Sequence, residues 1–276
     1  SLPPEGEVAC DLKEVALEET VKRWPILAVA ADPHRNLIWL TTSAMPGFAG
    51  IAKEDEGKAA LLAVNERGRV QRSVELATGE PAVLGDMALA ADGTVYVTDS
   101  LGGGVYELRG KGRDTATWLR TAKLEKIADG LFSPQTPVLA ADRKRLFVAD
   151  YTIGIAVVEL ASGKVEYLPH PENIAVTGID GLYLVGNSLI AIQNGTQPER
   201  VLKLALDGAQ RAITSAEVLE QATERLGEAT HGVARGRGFY VSANVGWDKV
   251  DDSGQLKDGQ KFTAPVLLRF SLEPRK

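Results

Sequence analysis

Four polar residues of ligand or acid–base type stand at the start of short apolar runs in this chain. They are Asp86 in "LGDM", Gln135 in "SPQTPV", Asp180 in "GIDGL" and His231 in "ATHGV". Two carboxylates and an amide oxygen are what a hard cation such as Ca2+ takes as ligands. An imidazole can serve as a general base or as a nitrogen ligand for Zn2+. The plainer account is that such residues solvate a polar end of a strand, or that an Asp there accepts bonds from nearby backbone N–H groups.

A second set shares another register. Asp99, Asp150, Asn194 and Asn244 close apolar runs in "VTDS", "VADY", "IQNG" and "SANV". Asp and Asn bond to their own following backbone, so turn formation explains all four. Asn194 and Asn244 are also candidates for substrate contact. Asn194-Gly195-Thr196 matches a glycosylation sequon, a tripeptide common by chance. Gly102–Gly104 lacks the Lys-Ser/Thr of a phosphate loop and precedes a strand pattern, so it reads as a tight turn. His34 and His170 lie in polar turns. No HExxH and no G-x-S-x-G is present, which removes the zinc-protease and serine-hydrolase readings.

The elements that must position these residues come from a repeated phrase. It appears as "WPILAVAADPHRNLIWLTTSA", "LGDMALAADGTVYVTDS", "SPQTPVLAADRKRLFVADY", "GIDGLYLVGNSLIAIQN" and "ATHGVARGRGFYVSAN". Each has an apolar strand, a polar or Gly-containing turn and a second apolar strand, which is a hairpin signature. Further strand patterns such as "GVYELRG" and "RVLKLAL" follow in most units. Four strands recurring roughly every 40–60 residues predict a β-propeller, each unit one blade and the first strand of each lining a central channel. Ser215–Gly227 has helical spacing, a Ser in the N-cap position and Gly at its end, so a helix or a loop decoration between blades is expected there.

With 276 residues, 44% hydrophobic and 25% charged, the chain reads as one globular domain. A net charge of −6 with scattered Lys and Arg speaks against nucleic acid as partner, and no run is long enough for a membrane-spanning helix. The single cysteine, Cys10, excludes an internal disulfide and reads as structural. The chain starts at Ser1; if it is a processed mature form, a periplasmic or secreted location is expected.

The phrases "ALAADGTVYVTDS", "LAADRKRLFVADY", "GIDGLYLVGNSLIAIQNG" and "FYVSANVGWDKVDDSGQLKDG" resemble the SMP-30/gluconolactonase-like family. The resemblance runs from about Trp24 to the C-terminus. It implies an all-β, six-bladed propeller with an abbreviated first blade, whereas five blades are readable directly. It also implies a divalent metal, Ca2+ or Zn2+, that polarises a lactone or ester carbonyl or activates water. The family's Asp falls on Asp180, one Asn falls on Gln135, another on Gly85 beside Asp86, and the Glu on Glu5. Asp180, Gln135 and Glu5 would then hold the metal, Asp86 would orient substrate, and His231 would move protons. The alternative is a non-catalytic propeller that binds a small molecule or a protein.

Two further expectations concern the ends of the ring. "EVACDLKEVAL" would supply the outer strand of the last blade, beside "APVLLRFSL", closing 1–276 as a single ring. The insertion between Asn244 and Pro265 would carry Trp247 either as a lid or as an anchor, and its aspartates do not fit an EF-hand.

Overall fold

The computed structural model describes residues 24–109, 117–124 and 133–272. Within them, residues of Lys13–Val148 and Val158–Val165 gather into one compact unit, and those of Ala149–Val157 and Glu166–Lys276 into a second. Nineteen strands form five antiparallel sheets, so five blades are present among the described residues. The sixth, abbreviated blade expected around Glu5 lies outside them, as do Cys10 and the proposed closing strand.

The first blade is a meander of β1 (Ile26–Asp32), β2 (Leu37–Ser43), β3 (Ala59–Val64) and β4 (Val70–Glu75). The second repeats it with β5 (Leu84–Leu89), β6 (Val95–Asp99), β7 (Gly104–Arg109) and β8 (Thr117–Lys123). The third contains β9 (Pro137–Leu139), β10 (Arg145–Asp150), β11 (Gly154–Glu159) and β12 (Val165–Tyr167), and the division between the units runs through it. The fourth is β13 (Ile179–Val185), β14 (Ser188–Gln193), β15 (Arg200–Leu206) and β16 (Ile213–Gln221). The fifth has three described strands, β17 (Gly232–Arg235), β18 (Gly238–Ala243) and β19 (Val266–Ser271).

Burial grades across a blade as its sequence does. The middle strands β3, β6 and β10 are buried at every residue, which is why they are almost continuously apolar. The outer strand β4, "VQRSVE", alternates half-buried and exposed residues with the period of a one-sided strand. In the first unit, one face of blade one (Trp39, Leu61, Ala63) packs into a common core with Leu84, Val95, Val97 and Leu108 of blade two. In the second unit, Ile190, Ile192 and Val201 of blade four meet Phe239, Val241 and Leu268 of blade five.

The hairpin turns use the residues their geometry demands. Gly93 and Gly186 adopt φ of 94° and 59°, the left-handed region where a side chain is costly. Asp92 caps its turn by accepting the Thr94 N–H at 2.9 Å. The Gly102–Gly104 segment is likewise a turn between β6 and β7. Asp99 Oδ1 accepts the N–H groups of Leu101 and Gly102 there, at 3.1 and 2.8 Å.

Ser215–Gln221 of the expected helix or loop decoration belongs to strand β16, which pairs with β15 from Arg200↔Gln221 to Leu206↔Ile213, and residues 222–227 form a turn after it. Two register shifts break this ladder, between Val201 and Leu202 and between Ala205 and Leu206. They scramble the alternation that marks a strand, and the exposed outer position tolerates helix-forming Glu and Ala. Pairing with a complete blade outweighs the local preference.

Phe239 is fully buried in β18, its ring centroid 5.2 Å from that of Tyr183. Gly232 leaves the space it fills, since a Cβ there would lie 2.6 Å from Phe239 Cζ. Truncating Phe239 to Ala is expected to cost about 3–5 kcal/mol. It would be read as a lower urea midpoint with an unchanged slope.

Candidate functional site

Three inner strands carry the same irregularity near their first residues. In β1 the ladder shifts between Ile26 and Ala28, in β5 between Leu84 and Met87, and in β13 between Ile179 and Gly181. Each is a β-bulge, a device that releases a residue from the pairing and re-aims its side chain. The released residues include Asp86 in β5 and Asp180 in β13. The bulges thus account for why these two carboxylates leave the regular alternation of their strands.

In the second unit, Asp180 joins a chain of hydrogen bonds. Asn194, just past β14, donates from Nδ2 to Asp180 Oδ2 at 2.9 Å and to the Ala229 carbonyl at 3.1 Å. Its Oδ1 accepts the Tyr151 hydroxyl at 3.0 Å. The Tyr151 ring reaches this position because Gly195 has no side chain: a Cβ there would lie 2.5 Å from the Tyr151 Cζ and hydroxyl. The Gly195 N–H donates to the Gly178 carbonyl at 3.0 Å, and the Gly178 N–H to the Tyr151 carbonyl at 2.7 Å. Burial, and then the charges of Asp180, Glu228 and Glu199, push the Tyr151 hydroxyl up to about 12, so it remains a proton donor.

Glu228 stands three residues before His231, with φ of 49°. Its own N–H donates to Glu199 Oε2 at 2.8 Å, and its Oε2 accepts the Asp248 N–H at 2.7 Å. Burial raises its carboxyl first of all, and the nearby carboxylates of Asp248 and Glu199 add to that. The Asp248 backbone N–H acts in the opposite direction, and the balance places Glu228 at about 7. A carboxyl titrating near neutrality can both take and return a proton at physiological pH.

The remaining expected residues fall in different places. His231 precedes β17 and is half-buried; its carbonyl accepts the Ser242 N–H at 2.8 Å. Asn244 holds the insertion that follows it. Its Nδ2 donates to Thr263 Oγ1 at 2.6 Å and to the Ala264 carbonyl at 2.8 Å. Trp247 opens a short 3-10 turn in that insertion and is 46% exposed. In the first unit, Asp86 is buried, its Oδ2 accepting the Thr136 hydroxyl at 2.5 Å and its Oδ1 the Met87 N–H at 2.7 Å. Gln135 lies nearby, its Oε1 3.5 Å from where a Cβ on Gly85 would stand. That same Cβ would be 2.1 Å from Ser100 Oγ, so a larger residue does not fit at Gly85.

The structure therefore brings Asp180 and Asn194 together and ties Asp86 into a bond between β5 and the segment before β9. Glu5 lies outside the described residues. Among the described residues, no three His, Cys, Asp or Glu side chains form a group able to hold a metal ion. Tyr151, Glu199 and Glu228 carry no motif in the sequence. "VADY" and "GEATHG" look like turns, and only the fold sets these residues beside Asn194 and Asp248.

No protein-family model matches the chain, and no curated protein does. Solved structures do. A protein of Thermus thermophilus described as an oxidoreductase (glucose dehydrogenase) is 16% identical over 90% of this chain and 84% of its own, with a TM-score of 0.54. The PQQ-bound aldose sugar dehydrogenase of Streptomyces coelicolor is 11% identical over 98% of this chain and 81% of its own, TM-score 0.55. Luciferin-regenerating enzyme is 14% identical over 89% of this chain and 76% of its own, TM-score 0.53. Likeness at this level establishes the fold: the chain is a β-propeller.

Two outcomes follow from the cluster. Replacing Asn194 by Ala removes its hydrogen bonds to the Tyr151 hydroxyl, the Asp180 carboxylate and the Ala229 carbonyl, and is expected to cost about 1–3 kcal/mol in thermal unfolding. Glu228 binds its proton more tightly folded than unfolded, so its contribution to stability is full below its unfolded pKa. That contribution is lost as pH rises through about 7. A stability–pH profile should fall across this range for the wild type and flatten in Glu228→Gln.

Proposed function

We propose that this chain is a hydrolase of a small lactone or ester, related to the SMP-30/gluconolactonase-like propellers, with its acid–base centre at Asp180, Asn194, Tyr151 and Glu228. The observation that carries this reading is the hydrogen-bonded Tyr151–Asn194–Asp180 chain in the same unit as a half-buried Glu228 that titrates near neutrality. The fold likeness to luciferin-regenerating enzyme supports it. The carboxylates of Asp180, Glu199, Glu228 and Asp248 favour a neutral or cationic substrate over an anionic one.

In this reading Glu228 removes a proton from a water that attacks the acyl carbon. The tetrahedral intermediate then collapses, the C–O bond to the alkoxy oxygen breaks, and Glu228 returns the proton to that oxygen. A lactone opens to a hydroxy acid with atoms balanced. Asp180, fixed by Asn194, orients the substrate hydroxyl or the attacking water, and Tyr151 holds Asn194 in place. His231, at the start of β17, is the second proton-carrying candidate. Ca2+ or Zn2+ enters as a proposed addition whose contribution the assay reads directly.

A second reading is supported by Asp86, whose two oxygens are already engaged by Thr136 and Met87. A family substrate contact spent on structure is what a non-catalytic propeller for a small ligand would show.

The test is hydrolysis of a lactone and ester panel with Ca2+, with Zn2+ and with chelator. It would be run on wild type, Glu228→Gln, Asp180→Ala and His231→Ala, each checked for an intact fold by circular dichroism. Turnover that falls about 10²–10⁴-fold in Glu228→Gln, with loss of a pH-rate inflection near 7, is the expected result. No turnover by folded wild type under any metal condition would replace the hydrolase by the binding reading.

A further inference from the structure

Away from this cluster, the first unit holds a half-buried cation, Arg72, two of whose nitrogens meet no acceptor among the described residues. Trp39 of β2 pairs with Ala63 of β3, and Ala63 pairs with Arg72 of β4. Residues directly opposite one another share a face, so the three side chains form one row across blade one. Ala63 contributes only a methyl group between the two long side chains, which lets them approach each other. The Arg72 guanidinium lies over the indole of Trp39, its Cζ 5.6 Å from the ring centroid.

Nε and Nη2 of Arg72 are buried, and neither meets an acceptor among the described residues. Those two atoms form the side of a guanidinium that presents two parallel N–H groups, the fork that grips a carboxylate. The molecule shows this use elsewhere: Arg109 sets its Nε and Nη2 against the two carboxylate oxygens of Glu107. In Arg72 the same fork is turned inward. Burial alone lowers its pKa, with no carboxylate acting in the opposite direction. Trp39, 2% exposed, likewise has a buried Nε1–H without an acceptor among the described residues. Buried donors in native proteins are nearly always satisfied, by protein, water or an ion.

We propose that blade one carries a binding site for a small planar oxyanion, a carboxylate or its nitrate- or bicarbonate-like equivalent, gripped side-on by Arg72 beside Trp39. The cation–π contact neutralises little of the charge and leaves the fork, which lies in the guanidinium plane, available to two oxygens. Trp39 and Ala63 belong to the apolar core shared with blade two, so a small ligand suits this place better than a large one. This inference is independent of the hydrolase reading.

The test is thermal unfolding of the full chain in formate, acetate and nitrate against chloride at constant ionic strength. The expected result is a saturable rise in Tm of about 2–5 °C for the planar oxyanions. Arg72→Met and Arg72→Lys should abolish it, the first by removing the charge and the second by keeping charge without the fork. Arg72→Met should also melt no lower than wild type in chloride, because it removes a buried charge without a partner. A bromoacetate soak would then place a bromine signal beside the fork. The proposal is overturned by a Tm that does not respond to these anions, or by a rise that persists in Arg72→Met. It is equally overturned if Arg72→Met is strongly destabilised in chloride, which would mean that the guanidinium is already satisfied by the chain.

Discussion

A blade of this protein has two apolar faces and cannot bury either by itself. That constraint organises most of what is seen. It makes the middle strands β3, β6 and β10 buried throughout and apolar except at their ends, because both of their faces are covered. It concentrates polar residues at strand ends and turns, the places where a four-stranded meander leaves backbone groups to satisfy. It also places Phe239 and Tyr183 ring against ring, with Gly232 cut back to a hydrogen so that the two can meet.

The polar cluster of the second unit is the complement of that apolar packing. Asn194 uses its amide as a two-way connector, accepting from a tyrosine and donating to a carboxylate and a backbone carbonyl. Such an arrangement fixes which way the amide faces, since only one orientation satisfies every partner. Glu228 is held differently. It has a carboxylate neighbour on each side of it, Glu199 bound to its own N–H and Asp248 bound through its backbone to the Glu228 side chain. Burial first, and the crowding of like charge beside it second, make this carboxyl hold its proton to about neutrality.

How legible the molecule is in its sequence varies by level. The five repeated phrases disclose the blades, because hairpin turns demand Gly, Asp or Asn and middle strands demand Val, Ile and Leu. Asp180 and Asn194 are visible because they occupy equivalent positions in the repeat. Tyr151 and Glu228 are not, since their roles come from partners 43 and 29 residues away, and no local pattern encodes such distances. Strand β16 reads as a helix because two bulges in its ladder erase the alternation by which an outer strand is recognised. The pairing of Arg72 with Trp39 is hidden for the same reason as Tyr151: two register steps across a sheet connect them, not sequence proximity.

The recurrent bulge has an evolutionary corollary. A residue in a regular strand is bound by parity: changing its polarity puts a charge in the core or grease in water. The extra residue of a bulge escapes that rule. At this slot β1 has Leu27, β5 a buried Asp86 locked to Thr136, and β13 an Asp180 joined to an amide chain. One backbone feature thus offers interchangeable sockets around the repeat. A single codon change can add or withdraw a reactive group at any of them, while the hydrophobic grammar of the blade stays as it is.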